Sequence, residues 1–173
     1  MSNKKGNEKN VQKKSNLPLI LTAVVLVCVA VGAVTLKNIR GGSESGVTTV
    51  VEGGHLAIPT AKVTEDVSFY PLEVDGTAME VLAVKASDGS IRTAFNTCQS
   101  CYTSGRGYYE QEGSELVCQN CGFHFTPDQV EIQSGGCNPW PIFAQNKTVT
   151  DDEIQIPYDF LKAATVIFDN WKA

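Results

Sequence analysis

The 173 residues contain no serine, histidine and aspartate arrangement, no glycine-rich phosphate loop and no spaced carboxylate pair. No residue set is left for chemistry on a bound substrate, so an enzyme is not expected. Internal repeats are also missing. Histidine is scarce, and of the two present His55 has no partner in sequence. Basic residues are few beyond residue 41, where Lys62, Lys85, Arg92, Arg106, Lys147, Lys162 and Lys172 face eighteen acids, a net −11 that the whole-chain value of −5 conceals. Such a balance excludes nucleic acid and adsorption to an anionic leaflet as partners, and it suits cations, a basic partner or plain solubility.

One long apolar run is present. Leu17 to Leu36 is twenty uncharged, mostly apolar residues, which as a helix spans about 30 Å, the thickness of the hydrocarbon core. Residues 1–16 carry five lysines against Glu8 and read as a basic tail. With Lys37 and Arg40 alone after the run, the positive-inside rule puts the N terminus in the cytoplasm and the rest outside. The small-x-small site of a cleaved signal is poorly formed around Val31 to Val34, so retention as a single-pass anchor in the bilayer is expected. Cys28 falls inside this run as an apolar filler. Residues 37–58, Gly- and Ser-bearing, read as a flexible tether, leaving 59–173 as an extracytoplasmic metal-binding domain.

The chemistry lies in cysteine. Cys98 and Cys101 form one Cys-x-x-Cys pair, Cys118 and Cys121 a second, with sixteen residues between them. Four soft sulfurs on two tight turns can close around Zn²⁺ or hold an iron–sulfur cluster. Gly122 follows the second pair where a positive φ would aim backbone N–H groups at sulfur. Cys137, in the turn-rich stretch Gly135 to Pro141, is a candidate covering or alternative ligand, or a redox partner of the four. His124 alternates with Phe123 and Phe125, and is a candidate donor to a sulfur, an extra ligand or a solvent-facing residue. Tyr102, Tyr108 and Tyr109 can shield the site or pack a hairpin. Met79 alternates into a strand as core. Disulfides are the competing reading in an exported protein, but five cysteines leave one unpaired. A thioredoxin-like role lacks its βαβ context.

Strands are expected over Asp66 to Val74 and Thr77 to Ala86, joined by the hairpin dipeptide Asp75-Gly76, with a third over Ile91 to Phe95. Tyr108 to Gln111 and Glu115 to Cys118 make a second hairpin that delivers the second cysteine pair. Glu153 to Ile156 alternates as a strand. The stripe Phe160, Leu161, Ala164, Ile167, Phe168 and Trp171 predicts a C-terminal helix, with Pro157 at its start. The fold class is therefore mainly β (α+β), an antiparallel domain with a C-terminal helix, preceded by one transmembrane helix.

Asp66 to Ile142 resembles the FtrD-like family of membrane iron–sulfur proteins associated with ferrous-iron permeases. The resemblance is carried by Phe69-Tyr70, Asp88 to Arg92, Ala94-Phe95, Cys98-x-x-Cys101-Tyr102, Gly107-Tyr108, Cys118-x-Asn120-Cys121-Gly122 and Gly135 to Pro139. It implies a metal-bearing extracytoplasmic module, redox-active and serving iron transport beside a membrane permease or redox partner. Cys118-x-x-Cys121-Gly122-x-x-Phe125 is also similar to the second turn of Rieske domains, with cysteine for histidine, and Gly135 to Pro141 to their covering loop. A Rieske-like or zinc-ribbon-like domain is thus expected. The first turn is Cys-x-x-Cys rather than Cys-x-His, so a histidine-ligated iron and its raised potential are not implied. A four-thiolate [2Fe–2S] centre would instead lie near about −400 mV. Lys13-Lys14 stands where export of a folded cluster protein would want an arginine pair. That departure keeps structural Zn²⁺, in an interaction domain without redox role, beside the favoured cluster.

Overall fold

The structure, a computed structural model, describes residues 46–173 apart from Gln133. The basic tail, the apolar run Leu17 to Leu36 with Cys28, and the first part of the tether lie outside the described residues. Among the described residues no helix is long and apolar enough to cross a membrane. The end of the expected tether is not free chain. It forms β1 (Thr48–Thr49) and β2 (His55–Pro59), and Val50, Leu56 and Ile58 are buried. The alternation of Leu56 and Ile58 supplies the physical reason, since one face of β2 is apolar.

β3 (Ser68–Val74) and β4 (Thr77–Lys85) pair antiparallel with Val74 opposite Thr77. Asp75 and Gly76 between them take φ 49° and 81°, the left-handed pair that matches the twist of a two-residue hairpin. The Asp75 carboxylate is held by the Tyr158 hydroxyl at 2.9 Å and by Lys162 Nζ at 3.0 Å. β5 (Ile91–Cys98) follows antiparallel to β4, and β6 (Tyr109–Glu112), β7 (Glu115–Cys118) and β8 (His124–Phe125) form a separate three-stranded antiparallel sheet. β9 (Pro139–Pro141) returns to the edge of β5, a position where proline lacks no ladder partner. The turn-rich stretch Gly135 to Pro141 thus ends in a short edge strand. The main sheet runs β1-β3-β4-β5-β9, with only β1 parallel to its neighbour. β10 (Thr148–Val149) and β11 (Glu153–Pro157) complete a third sheet with β2.

β4 explains the layering. Met79, Val81 and Ala83 join one core, with Leu72, Val74, Phe95, Ile154, Ile156 and Leu161, whereas Leu82 and Val84 join another, with Ala94, Tyr109, Leu116, Phe125 and three of the cysteines. Successive residues point to opposite faces, so a strand buried on both reads as a continuous apolar run. Met79 is core, as its alternation predicts. The second core is the wall on which the cysteines sit.

The C-terminal helix is shorter than expected. α1 (Tyr158–Ala163) has six residues and gives way to a 3₁₀ turn over Thr165–Phe168. Thr165, Val166 and Ile167 are β-branched and resist α-helix, and the Thr165 hydroxyl donates to the Lys162 carbonyl at 2.9 Å, closing the last turn. The apolar stripe still packs, with Leu161, Ile167 and Phe168 buried. Pro157 precedes the helix as its cap and does not open its first turn.

Candidate metal centre

The first cysteine turn hangs from the end of β5. Cys98 N–H donates to the Gly107 carbonyl at 2.6 Å, and Cys101 N–H donates back to the Cys98 carbonyl at 3.2 Å. Gly107 makes this approach possible, because a Cβ there would stand 2.3 Å from the Cys101 carbonyl oxygen. The second turn hangs from β7. Cys118 N–H meets the Phe123 carbonyl at 3.0 Å, and Gly122 N–H meets the Cys118 carbonyl at 2.8 Å. Gly122 has φ 69°, as expected, with open space where a side chain would go, so glycine is wanted there for backbone freedom alone.

Five sulfurs converge. The Sγ atoms of Cys98, Cys101 and Cys137 lie within 4.8 Å of one another, and so do those of Cys101, Cys118 and Cys121. None of the five is in a disulfide. Cys98, Cys101 and Cys118 are buried, Cys137 is half-buried and Cys121 is exposed. Cys137 arrives on a loop strapped to the first turn. Ser100 Oγ donates to the Gly136 carbonyl at 2.6 Å, Gln99 Oε1 accepts from Gly135 N–H at 2.6 Å, and Gln99 N–H donates to the Asn138 carbonyl at 3.2 Å. The buried Tyr109 hydroxyl donates to the Cys137 carbonyl. The loop of residues 135–141 is thus tied to the first turn.

Burial pushes the Cys118 thiol up to about 12 and the Cys137 thiol to about 11, and it raises Cys101 as well. Cys121 goes the other way. Burial opposes its charge, but the Phe123 N–H and the thiols of Cys118, Cys137 and Cys101 outweigh that and hold it below the usual thiol value. Converging thiolates in an apolar wall repel one another unless a cation neutralises them, so this donor set fits a soft metal or an iron–sulfur group.

The remaining candidates fall elsewhere. His124 is exposed, pairs through Nδ1 with Glu115 Oε2 at 3.0 Å, and belongs to neither sulfur group. Tyr102 packs edge-on against Trp140, ring centres 5.8 Å apart, in an apolar groove of about 430 Å³ that Phe95 and Phe160 also line. It belongs to the first core and not to the sulfurs. Of the three tyrosines it is Tyr109 that lies under the site. Gln99, Ser100 and Asn138 escape sequence reasoning because their partners are backbone atoms up to 40 residues away. Their polar character inside and beside a cysteine turn is the one signal that could have marked them.

The family model described as "Membrane iron-sulfur containing protein FtrD-like" matches residues 63–168. That span holds all five cysteines of the site together with β3 to β11 and α1, and it leaves out β1 and β2. No curated protein and no solved structure matches the chain. With a match over more than half its length that takes in both cysteine turns and the strapped loop, the chain belongs to the FtrD-like family of membrane iron–sulfur proteins.

Proposed function

We propose that this protein is a membrane-anchored electron carrier whose cysteine-ligated iron–sulfur centre works in or beside an iron-uptake system. The observation that carries the reading is the convergence of five free sulfurs within a chain of the iron–sulfur family. When bound, the group accepts and gives single electrons. The chain's own part is to hold it. Cys98, Cys101, Cys118 and Cys121 supply thiolates from two turns fixed by β5 and β7, and the apolar wall of Leu82, Val84, Leu116 and Phe125 keeps water from the buried side. Exposed Cys121 marks the edge open to a partner. Leu17 to Leu36 would anchor the domain outside the cytoplasm, with a membrane permease or redox protein as partner. A [2Fe–2S] centre on four thiolates suits a low potential, about −400 mV. The loop strapped over the first turn supports a Rieske-like covering role.

A structural zinc site is the second reading, favoured by the paired Cys-x-x-Cys turns and by Lys13-Lys14 in place of an arginine pair. Metal and acid-labile sulfide analysis of the full chain, purified anaerobically, separates the two. Iron with sulfide in near-equal amount supports the carrier, whereas stoichiometric zinc without sulfide supports the structural site and removes the redox role.

A further inference from the structure

Two Cys-x-x-Cys pairs require four sulfurs, and the fold delivers five. Their grouping is informative, because among the described residues the compact sets are of three and not four, and Cys101 belongs to both. Sulfurs sharing one tetrahedral ion stand about 3.8 Å apart, given metal–sulfur bonds of about 2.3 Å. Each triple, already within 4.8 Å, needs only a small contraction to share an ion. Cys137 is also placed with more care than a water-excluding loop demands. Ser100, Gln99 and Tyr109 all bond the backbone of its loop, and Asn138 Nδ2 closes it internally on the Gly135 carbonyl at 2.7 Å. Two of these residues, Gln99 and Ser100, lie inside the first cysteine turn, so hydrogen bonds tie the loop to the turn.

We propose that the five cysteines form a two-metal centre bridged at Cys101, with Cys98, Cys101 and Cys137 facing one ion and Cys101, Cys118 and Cys121 facing the other. The proposal rests on the reading of these cysteines as metal ligands and extends it to the fifth. Each ion then receives three protein sulfurs. Its fourth position is left to a ligand that the chain does not supply, and in this the centre departs from a four-thiolate [2Fe–2S] group, whose irons each take two protein sulfurs. Tyr109 acts as a positioning residue, since its hydroxyl holds the Cys137 carbonyl.

The test is an anaerobic Co²⁺ titration of the reduced full chain in detergent, followed by thiolate-to-cobalt absorption and read as ions bound per chain. Two ions are expected for the wild type and one for Cys137→Ser, whose second triple is intact. One ion in both proteins overturns the two-metal centre and leaves the metal-ligand reading standing, whereas no ion in the wild type overturns that reading too. A measurement on the wild type alone guards against a misfolded variant. N-ethylmaleimide should label Cys137 in the metal-free chain and several-fold less after Co²⁺ loading, and equal labelling in both states contradicts ligation by Cys137.

Discussion

Gly107 shows how one residue can govern a site that it does not enter. Its missing Cβ lets the chain leading into β6 approach the first cysteine turn, and 2.3 Å to the Cys101 carbonyl is too close for any side chain to share. Gly107→Ala must push Cys101 away, so it should lower both metal content and melting temperature; unchanged metal per chain would show that the turn can shift without harm. Asp75 carries a different kind of constraint. Hydrogen bonds first from Lys162 and then from Tyr158 hold its carboxyl below the usual carboxylate range. A carboxyl depressed on folding adds stability above its unfolded pKa of about 3.9 and loses it as pH falls through the folded value. Asp75→Asn should therefore melt lower than wild type at neutral pH, and the gap should close as pH falls below about 4. A gap that persists in acid would mean that the effect is conformational and not ionic.

The elements divide sharply into those that local sequence specifies and those that it does not. β3, β4 and β5 were legible because Asp75-Gly76 and the Gly89 turn punctuate runs of alternating or continuous apolar residues. β1 and β2 were hidden because glycines and serines around them carry a tether signal, while the apolar alternation of β2 covers only Leu56 and Ile58. The C-terminal stripe buries residues that its periodicity marks, yet tertiary packing accepts it as α1 plus a 3₁₀ turn because β-branched residues fall where the helix would continue. Leu161 on α1 is fully buried against the first core, so Leu161→Ala should cost about 2–5 kcal/mol in denaturant unfolding. A loss under about 1 kcal/mol would mean that α1 is not integral to that core. The segment between β8 and β9 is tied down by another device. Lys147 Nζ meets Glu131 Oε2 at 2.6 Å and Thr93 Oγ1 at 2.8 Å, with both charged side chains nearly sequestered from solvent. Lys147→Met leaves the Glu131 carboxylate without its cation, held only by the Thr93 N–H at 2.7 Å and the Thr93 hydroxyl at 3.2 Å, and should destabilise by about 3 kcal/mol, the lower end for a broken buried pair. Adding Glu131→Gln should restore part of the loss, and a double variant no better than the single one would contradict the pairing.

Taken as a molecule, the protein sets a cysteine-lined wall at one face of a mainly β domain and presents one exposed sulfur at its edge. Cys-x-x-Cys spacing revealed four of the five sulfurs in the sequence, because local turns put each pair together without help from the fold. The turn-rich stretch Gly135 to Pro141 marks Cys137 as a candidate, but what seats it there, hydrogen bonds of its loop backbone with Gln99 and Ser100 across 36 residues, is not legible. An electron carrier and a zinc-stabilised module both need soft thiolates in an apolar setting, and what separates them is electron transfer. Low-temperature EPR of the anaerobically purified full chain, before and after dithionite, addresses the central claim most directly. An iron–sulfur carrier predicts a paramagnetic signal that changes reversibly on reduction and accounts for most of the iron present. A protein that is silent in both states, with zinc at the sulfurs, would contradict it.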